Sequence, residues 1–161
     1  MSWDYLYSGG HERAIVEAEY AISRDPETEW NYSTLGIVLY LSGRHPESLN
    51  ILKKAISLSP SPTPDLLSFL AWPYIHLDKK DEAVAIADKA VKLGPQFLLP
   101  RTSLAAASAA AGDYGRASKH AEEVLKIEPQ FSVTRYAKGQ IYKNPKDLER
   151  ALDALRKAGL K

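Results

Sequence analysis

Apolar residues recur along this chain at helical spacing, in stretches that end at glycine or proline. Leu35 and Leu39 mark the buried side of one predicted helix, and Ala83, Ala87 and Ala90 mark that of another. Because residues three or four apart share one face of a helix, each stretch has a single face to bury. The pattern therefore predicts an all-α chain.

The predicted helices come in pairs, and the pairs repeat. The proline that ends the second helix returns after 34, 35 and 34 residues, at Pro26, Pro60, Pro95 and Pro129. Small packing residues keep the same interval, in the series Ala14, Ser48, Ala83, Ala117 and Ala151 and in the series Ala21, Ala55, Ala90, Val124 and Ala158. Self-similarity at this period is typical of a helical solenoid, in which each two-helix unit packs mainly on its neighbours.

One unit shows the repeat most completely. Leu35 and Gly36 lie on its first helix, Gly43 ends that helix, Ala55 packs on the second helix and Pro60 ends the second. These residues resemble the tetratricopeptide repeat motif, and the resemblance covers the whole chain. It implies an all-α, right-handed superhelical solenoid that serves as a protein-interaction module, with the first helices lining a concave groove.

The repeat predicts one domain over residues 1–161, with about four and a half repeats and a C-terminal capping helix. Its units are residues 1–26, which form a partial repeat, then 27–60, 61–95, 96–129 and a degenerate capping unit at 130–161. The first helix of the first unit is short, at Trp3–Ser8. Two interpretations stay open: a preceding segment completes this unit, or the protein begins with a half-repeat.

Two places depart from the regular pattern. Pro73 lies inside a predicted helix at Pro64–Leu77, and an interior proline removes a backbone hydrogen bond, so we expect a kink or break at Trp72-Pro73. In the last unit the sequence predicts a first helix at Phe131–Tyr142. Asn144 is then the expected N-cap of the closing helix, with proline at its first position.

A narrower resemblance rests on the end of the chain. Tyr142–Arg150 and Leu155–Leu160 are similar to the C-terminal repeat region of bacterial multidomain proteins that carry a class III adenylate or guanylate cyclase domain. The chain itself has no cyclase catalytic core. This resemblance implies an alternative function as a regulatory or dimerising segment of a larger bacterial signalling enzyme.

The resemblance to the repeat places the binding surface on the first helices, beside the residues that pack them together. We expect a partner-binding groove there, with Trp30, Tyr40 and Trp72 as aromatic anchors. The opposite interpretation is that these aromatic side chains pack against one another. The expected groove residues are Trp30, Ser33, Ile37, Tyr40, Ser68, Trp72, Thr102, Tyr136 and Gln140.

The chain shows little that would carry catalysis. His11 and His45 take equivalent positions in their repeats, and His76 and His120 each lie alone on a helix, without the short spacing of a metal motif. No phosphate-binding glycine loop is present. The expectation is a protein that is not an enzyme, with no catalytic or metal-binding residues and no cofactor.

Composition limits the classes of partner that the chain is expected to bind. A formal net charge of +1 argues against a nucleic-acid binder, and no apolar run approaches the roughly 20 residues that span a bilayer. The absence of cysteine fits a reducing compartment, so a cytoplasmic location is expected. The expected partner is a protein or peptide. Self-association is a further possibility, through apolar Trp3, Tyr5 and Leu6 in the incomplete first repeat.

Overall fold

The computed structural model describes residues 2–161, which form ten helices and no strand. The predicted all-α class is confirmed. The helices are α1 (Ser2–Tyr7), α2 (His11–Arg24), α3 (Glu29–Leu41), α4 (His45–Leu58), α5 (Pro64–His76), α6 (Lys80–Leu93), α7 (Leu98–Ala110), α8 (Tyr114–Ile127), α9 (Val133–Lys138) and α10 (Pro145–Lys157).

Helices α1 to α8 form four antiparallel pairs that stack in chain order. The first helices α1, α3, α5 and α7 contact one another in one layer. Each of the second helices α2, α4 and α6 packs between two first helices, and α8 packs against α7. The core therefore runs as a stripe between the two layers. We call the side of the first-helix layer that faces away from the second helices the inner face.

The small residues of the repeat allow the two helices of a pair to approach closely. In the second pair, a Cβ atom placed on Gly36 would lie 2.6 Å from Cγ of Leu52, so no larger residue fits there without movement. Ser48, which stands where the other units have alanine, is fully buried and donates from Oγ to the Gly36 carbonyl at 2.7 Å. That hydrogen bond offsets the cost of burying a hydroxyl.

The first helices end in a left-handed residue, as the sequence predicts at Gly43. Gly43 has φ +82°, and Asp78 takes the equivalent place in the next unit with φ +58°. Aspartate tolerates this conformation better than most side chains, but less well than glycine. Asp78 therefore replaces the glycine of the repeat and keeps the left-handed turn.

Helix α5 does not break at Trp72-Pro73, although a break was one of the two outcomes expected there. It continues from Pro64 to His76 with Pro73 in its interior. Trp72 and Pro73 are both buried between neighbouring helices, and Tyr74 is nearly so. Tertiary packing on both sides of the proline therefore keeps the chain helical there.

The end of the chain corrects the predicted extent of a helix. Helix α9 spans only Val133–Lys138, whereas the sequence predicts a helix up to Tyr142. Residues 139–144 are not helical, and Asn144 then caps α10 by accepting a hydrogen bond from the Lys146 amide, as expected. None of the helices within residues 2–161 combines the length and apolar character needed to cross a membrane.

Helix α10 does not stack on α9 as the second helix of a regular repeat would. It packs chiefly against α7, with smaller contacts to α9 and α5, so it lies on the first-helix layer. Its buried residues include Ala151 and Leu155, and α7 offers the fully buried run Leu104–Ala107. The small side chains of α7 let this extra helix approach closely.

Candidate functional site

The last 23 residues of the chain run back along the solenoid. We call residues 139–161 the C-terminal segment. After α9 the chain crosses to the first two units, where the Lys143 amide donates to the Leu41 carbonyl at 2.8 Å. Nε2 of His11 lies 2.9 Å from the carbonyl oxygen of Ile141. The extended part of the segment is thus bound through its backbone to residues of α2 and α3.

Two further bonds tie α10 to the middle of the solenoid. Nε2 of His76 lies 2.9 Å from the Asp147 carbonyl oxygen, and the Arg150 guanidinium donates to the Ile75 carbonyl at 3.1 Å. At the chain end, the Val133 amide donates to the Lys161 carbonyl at 2.7 Å. The segment is therefore held along its whole length.

A cavity of about 260 Å³ remains between the C-terminal segment and the first helices. Its walls are mainly aromatic and aliphatic. The first helices and the segment contribute Trp3, Tyr7, Ile37, Tyr40, Leu41, Phe69, Trp72, Leu99, Tyr136, Gly139, Gln140, Ile141 and Tyr142. The cavity is thus an apolar pocket on the inner face, closed on one side by the protein's own chain.

Five of the nine expected groove residues line this cavity. They are Ile37, Tyr40, Trp72, Tyr136 and Gln140. Tyr40 and Trp72 are only 4% and 2% exposed, so they form a packed wall rather than free anchors. Ile37, Tyr136 and Gln140 are partly exposed and offer the accessible surface of the cavity.

Three others lie in the core. Ser33, Ser68 and Thr102 are buried, and their hydroxyls donate to backbone carbonyls three or four residues earlier in their own helices. None of the three lines the cavity. Because their hydrogen bonds are already made within the helix, their place in this structure is in the packing between helices.

Trp30 lies elsewhere. It is 69% exposed and borders a separate depression between α2 and α3, together with Trp3, Tyr20 and Arg24. The expected row of Trp30, Tyr40 and Trp72 is therefore divided between two surfaces. Trp30 faces α2, whereas Tyr40 and Trp72 face the cavity that the C-terminal segment closes.

A cluster of rings and one carboxylate lies at the edge of the cavity. The Tyr40 and Tyr142 hydroxyls hydrogen-bond to each other, and the His45 and His76 ring centroids are 4.5 Å apart. Nε2 of His45 lies 3.3 Å from Oδ2 of Asp147. We call Tyr40, His45, His76, Tyr142 and Asp147 the ring cluster. It joins α3, α4 and α5 to the C-terminal segment.

Burial shifts the acid–base behaviour of the cluster. Burial lowers the pKa of His45, and the positive charge that His76 can carry lowers that pKa further. Burial also raises the pKa of Tyr40 and of Tyr142 well above the ordinary range. The His45 ring and both phenols are therefore favoured in their neutral forms.

The interpretation of His45 as a surface residue of its repeat was wrong, and so was that of His76 as a residue alone on its helix. Both are buried and their rings are in contact. A usable signal was present: His11 and His45 follow the glycine turns of successive repeats, so they lie on one edge of the solenoid. What could not be read is that the C-terminal segment runs along that edge.

At the outer end of the segment, an exposed ion pair joins the same elements. Nζ of Lys143 lies 2.7 Å from Oε1 of Glu12, and the hydrogen bond from Lys143 lowers the pKa of Glu12. Both side chains are well exposed, so solvent screens their attraction. The backbone bond from Lys143 to Leu41 is the firmer attachment at this point.

Comparison with known proteins identifies the fold. A family model described as tetratricopeptide repeat matches residues 134–158, which include most of α9 and all of α10. The crystal structure of MamA is 19% identical, with a TM-score of 0.71 over 98% of this chain and 92% of MamA. YrrB, described as a TPR protein with an unusual peptide-binding site, is 20% identical, with a TM-score of 0.65 over 98% of this chain and 80% of YrrB.

A tetratricopeptide repeat protein from Parabacteroides merdae is also similar. It is 16% identical, with a TM-score of 0.66 over 98% of this chain and 60% of the other. At these identities the likeness extends to the path of the chain, and residue roles do not carry over. The chain therefore has the fold of a tetratricopeptide-repeat solenoid, with an extra C-terminal helix laid on its first helices.

Proposed function

We propose that this chain is a non-catalytic protein-interaction scaffold that binds a peptide or a partner domain on its inner face. The observation that carries the proposal is that an extended stretch of the chain itself lies on that face. The backbone bond from Lys143 to Leu41 and the contact of the His11 ring with the Ile141 carbonyl hold residues 139–144 there, and Ile141 and Tyr142 line the apolar cavity. Backbone bonds combined with side-chain pockets are a common mode of peptide recognition.

The same observation narrows the chemistry of the ligand. The cavity walls are mainly apolar, and the expected groove residues with accessible surface there are Ile37, Tyr136 and Gln140. A peptide with an aliphatic or aromatic residue flanked by free backbone amides would match this surface. Since the C-terminal segment already occupies part of it, an external peptide either extends that segment or displaces it. The description of YrrB as a peptide-binding protein supports this function by analogy of fold alone.

A peptide library displayed on phage, selected against the full chain, tests the proposal. Selected peptides are then measured by fluorescence anisotropy on the Ile37→Ala and Ile51→Ala variants. Ile51 is an isoleucine of similar partial burial on α4 that does not line the cavity. We expect Ile37→Ala to weaken binding about 10-fold, because it removes apolar contact at the pocket, and Ile51→Ala to leave it unchanged.

Equal losses in the two variants would contradict binding on the inner face. If no peptide is selected, or if an unlabelled copy of a selected peptide does not displace the labelled one, the result would contradict the scaffold function itself. Thermal unfolding of both variants, followed by circular dichroism, separates lost contacts from lost folding.

The alternative function, a regulatory or dimerising segment of a bacterial signalling enzyme, is favoured by the surface around α1 and α2. Tyr7, Val16, Tyr20 and Trp30 are all more than 60% exposed. Leu6, which the sequence suggested as a contact, is instead fully buried, and Trp3 and Tyr5 are partly buried. Exposed apolar residues grouped in this way are typical of protein contacts.

Under this alternative a second copy of the chain covers these four residues. Sedimentation equilibrium of the full chain would then show a dimer, and Trp30→Glu would return it to a monomer. A monomer across the accessible concentration range would contradict self-association and would leave peptide binding untouched.

A further inference from the structure

Three groups with metal-binding side chains converge in the ring cluster. His45 lies at the start of α4, His76 ends α5, and Asp147 is in the first turn of α10. Each offers one ligand atom, and the three atoms all lie within 4.8 Å of one another. Both histidines are buried and the aspartate is partly buried. This arrangement arises only because the C-terminal segment crosses the two repeats.

His45 has no hydrogen bond of its own within the described chain. Its Nδ1 and Nε2 are both inaccessible to solvent and lack a hydrogen-bond partner. Nε2 lies 3.3 Å from Oδ2 of Asp147 without hydrogen-bond geometry. A buried polar atom without a partner is unfavourable, so such an atom in a native site calls for an explanation.

The polar contacts of His76 leave one of its ring nitrogens open to a ligand. Its Nδ1 lies 3.1 Å from the Trp72 carbonyl oxygen and its Nε2 lies 2.9 Å from the Asp147 carbonyl oxygen. A neutral imidazole has one N–H, and both carbonyls can only accept. The Tyr40 hydroxyl, 3.5 Å from Nδ1, is the other group that can donate to the ring. When Nδ1 donates to the Trp72 carbonyl, the lone pair of Nε2 is open to a cation.

We propose that His45, His76 and Asp147 form a binding site for a divalent transition-metal ion, with Zn²⁺ as the ion that suits the three ligands best. Zinc bonds of about 2.0–2.2 Å in tetrahedral geometry place ligand atoms roughly 3.3–3.5 Å apart. The separation of His45 Nε2 and Asp147 Oδ2, 3.3 Å, already matches. Small side-chain rotations bring in His76, and water completes the fourth position.

The surroundings fit this assignment. Both ring nitrogens of His45 are buried without a hydrogen-bond partner, so one of them can bind an ion without breaking an existing bond. If His76 binds the ion through Nε2, its Nδ1–H donates to the Trp72 carbonyl and orients the ring, as is usual for a metal-bound histidine. Arg150 lies one turn further along α10, but its guanidinium bonds to Ile75 and faces Asp78 at 3.8 Å.

The ion would tie the C-terminal segment to the solenoid. Asp147 belongs to the segment, and His45 and His76 belong to α4 and α5. Metal binding therefore stabilises the arrangement in which the segment covers the inner face. The site stands on these contacts alone and does not depend on what the inner face binds.

The test is a titration of the metal-free full chain with ZnCl₂ at neutral pH, followed by isothermal titration calorimetry. We expect one ion per chain. Addition of Co²⁺ in place of Zn²⁺ should give the visible absorption of a tetrahedral site. His45→Gln, His76→Gln and Asp147→Asn should each weaken binding by more than about 100-fold, since loss of a ligand exceeds the 10–100-fold cost of a supporting residue.

His11→Gln is the matched control, because His11 also contacts the C-terminal segment but lies outside the three ligands. It should bind zinc like the native chain. Hydrogen exchange provides a second measurement: amides of residues 143–150 should become better protected when zinc is added to the native chain, and not when it is added to Asp147→Asn.

Absence of stoichiometric binding, or binding that persists unchanged in His45→Gln or Asp147→Asn, would overturn the site. If His76→Gln does not fold, the Asp147→Asn comparison decides, because Asp147 lies at the surface of the cluster with 19% of its side chain exposed.

Discussion

The Tyr142 hydroxyl hydrogen-bonds to the Tyr40 hydroxyl across 102 residues of sequence, joining the C-terminal segment to the first-helix layer. Tyr40 is nearly fully buried, and its other hydrogen-bond contact among the described residues is with Nδ1 of His76 at 3.5 Å. Tyr142→Phe would therefore leave the Tyr40 hydroxyl buried with a weak partner. The free energy of unfolding should fall by about 1–3 kcal/mol in urea denaturation.

The double variant Tyr40→Phe/Tyr142→Phe is the control for this bond. It removes both hydroxyls, so no polar group stays buried without a partner, and it should be less unstable than the sum of the single variants. If the double variant is destabilised by as much as the sum of the two single variants, the result would contradict the hydrogen bond between the two hydroxyls.

Gly36→Ala should destabilise the protein although alanine is the better helix former. The added Cβ would lie 2.6 Å from Leu52, and overpacking of a close contact costs about 1–3 kcal/mol. Gly115→Ala is the control, since Gly115 lies in the first turn of α8 and its added Cβ meets nothing closer than 3.9 Å. In thermal unfolding, Gly36→Ala should lower the Tm and Gly115→Ala should raise it. A Tm raised by Gly36→Ala would refute the close approach of Gly36 to Leu52.

Trp72→Ala and Trp30→Ala should differ sharply in stability. Trp72 is 2% exposed, so its removal leaves a core cavity that costs about 3–5 kcal/mol. Trp30 is mostly exposed, and its removal should change the free energy of unfolding by less than about 0.5 kcal/mol. If Trp72 were instead the free aromatic anchor of the expected groove, Trp72→Ala would leave folding intact. Urea denaturation of the two variants decides between these expectations.

Ala109→Leu should loosen α10 without unfolding the solenoid. Ala109 and Ala154 line the same crevice between α7 and α10, and a larger side chain there costs about 1–3 kcal/mol. Hydrogen exchange should rise in residues 145–157 and stay unchanged in α3 and α4. Ala85→Leu, at an exposed position on α6, is the control. Equal exchange in all helices would show that α10 is not a separable element.

His120 should make stability depend on pH. Burial lowers its pKa below the ordinary 6.5, and the charges of Arg101 and Arg116 lower it further. As the pH falls through 6.5, the unfolded chain takes up the proton first, so stability decreases until the folded pKa is reached. Nuclear magnetic resonance titration in the presence of EDTA should place the His120 midpoint below 6.5. His120→Gln should reduce the slope of stability against pH; an unchanged slope would contradict the shift.

The local features of this fold were readable from the residues themselves. Each depends on groups close in sequence: Gly43 adopts the left-handed turn, Asp113 caps α8 through the Arg116 amide, and Asn144 caps α10. The small residues at the repeat interval, such as Ala55 and Ala117, are fully buried as their spacing required. Helical periodicity reports which face of a helix is buried, and that was enough for the pairs α1 to α8.

Periodicity does not report which neighbour covers that face, and this is where tertiary structure decided. The stretch after α9 is extended because Lys143 bonds to Leu41 and His11 contacts Ile141, both on the far side of the chain. The meeting of His76 with Asp147 likewise spans 71 residues. The sequence by itself determined the repeating helix pairs. Only long-range contacts decided that the C-terminal segment lies on the first helices, where it closes the cavity and brings His45, His76 and Asp147 together.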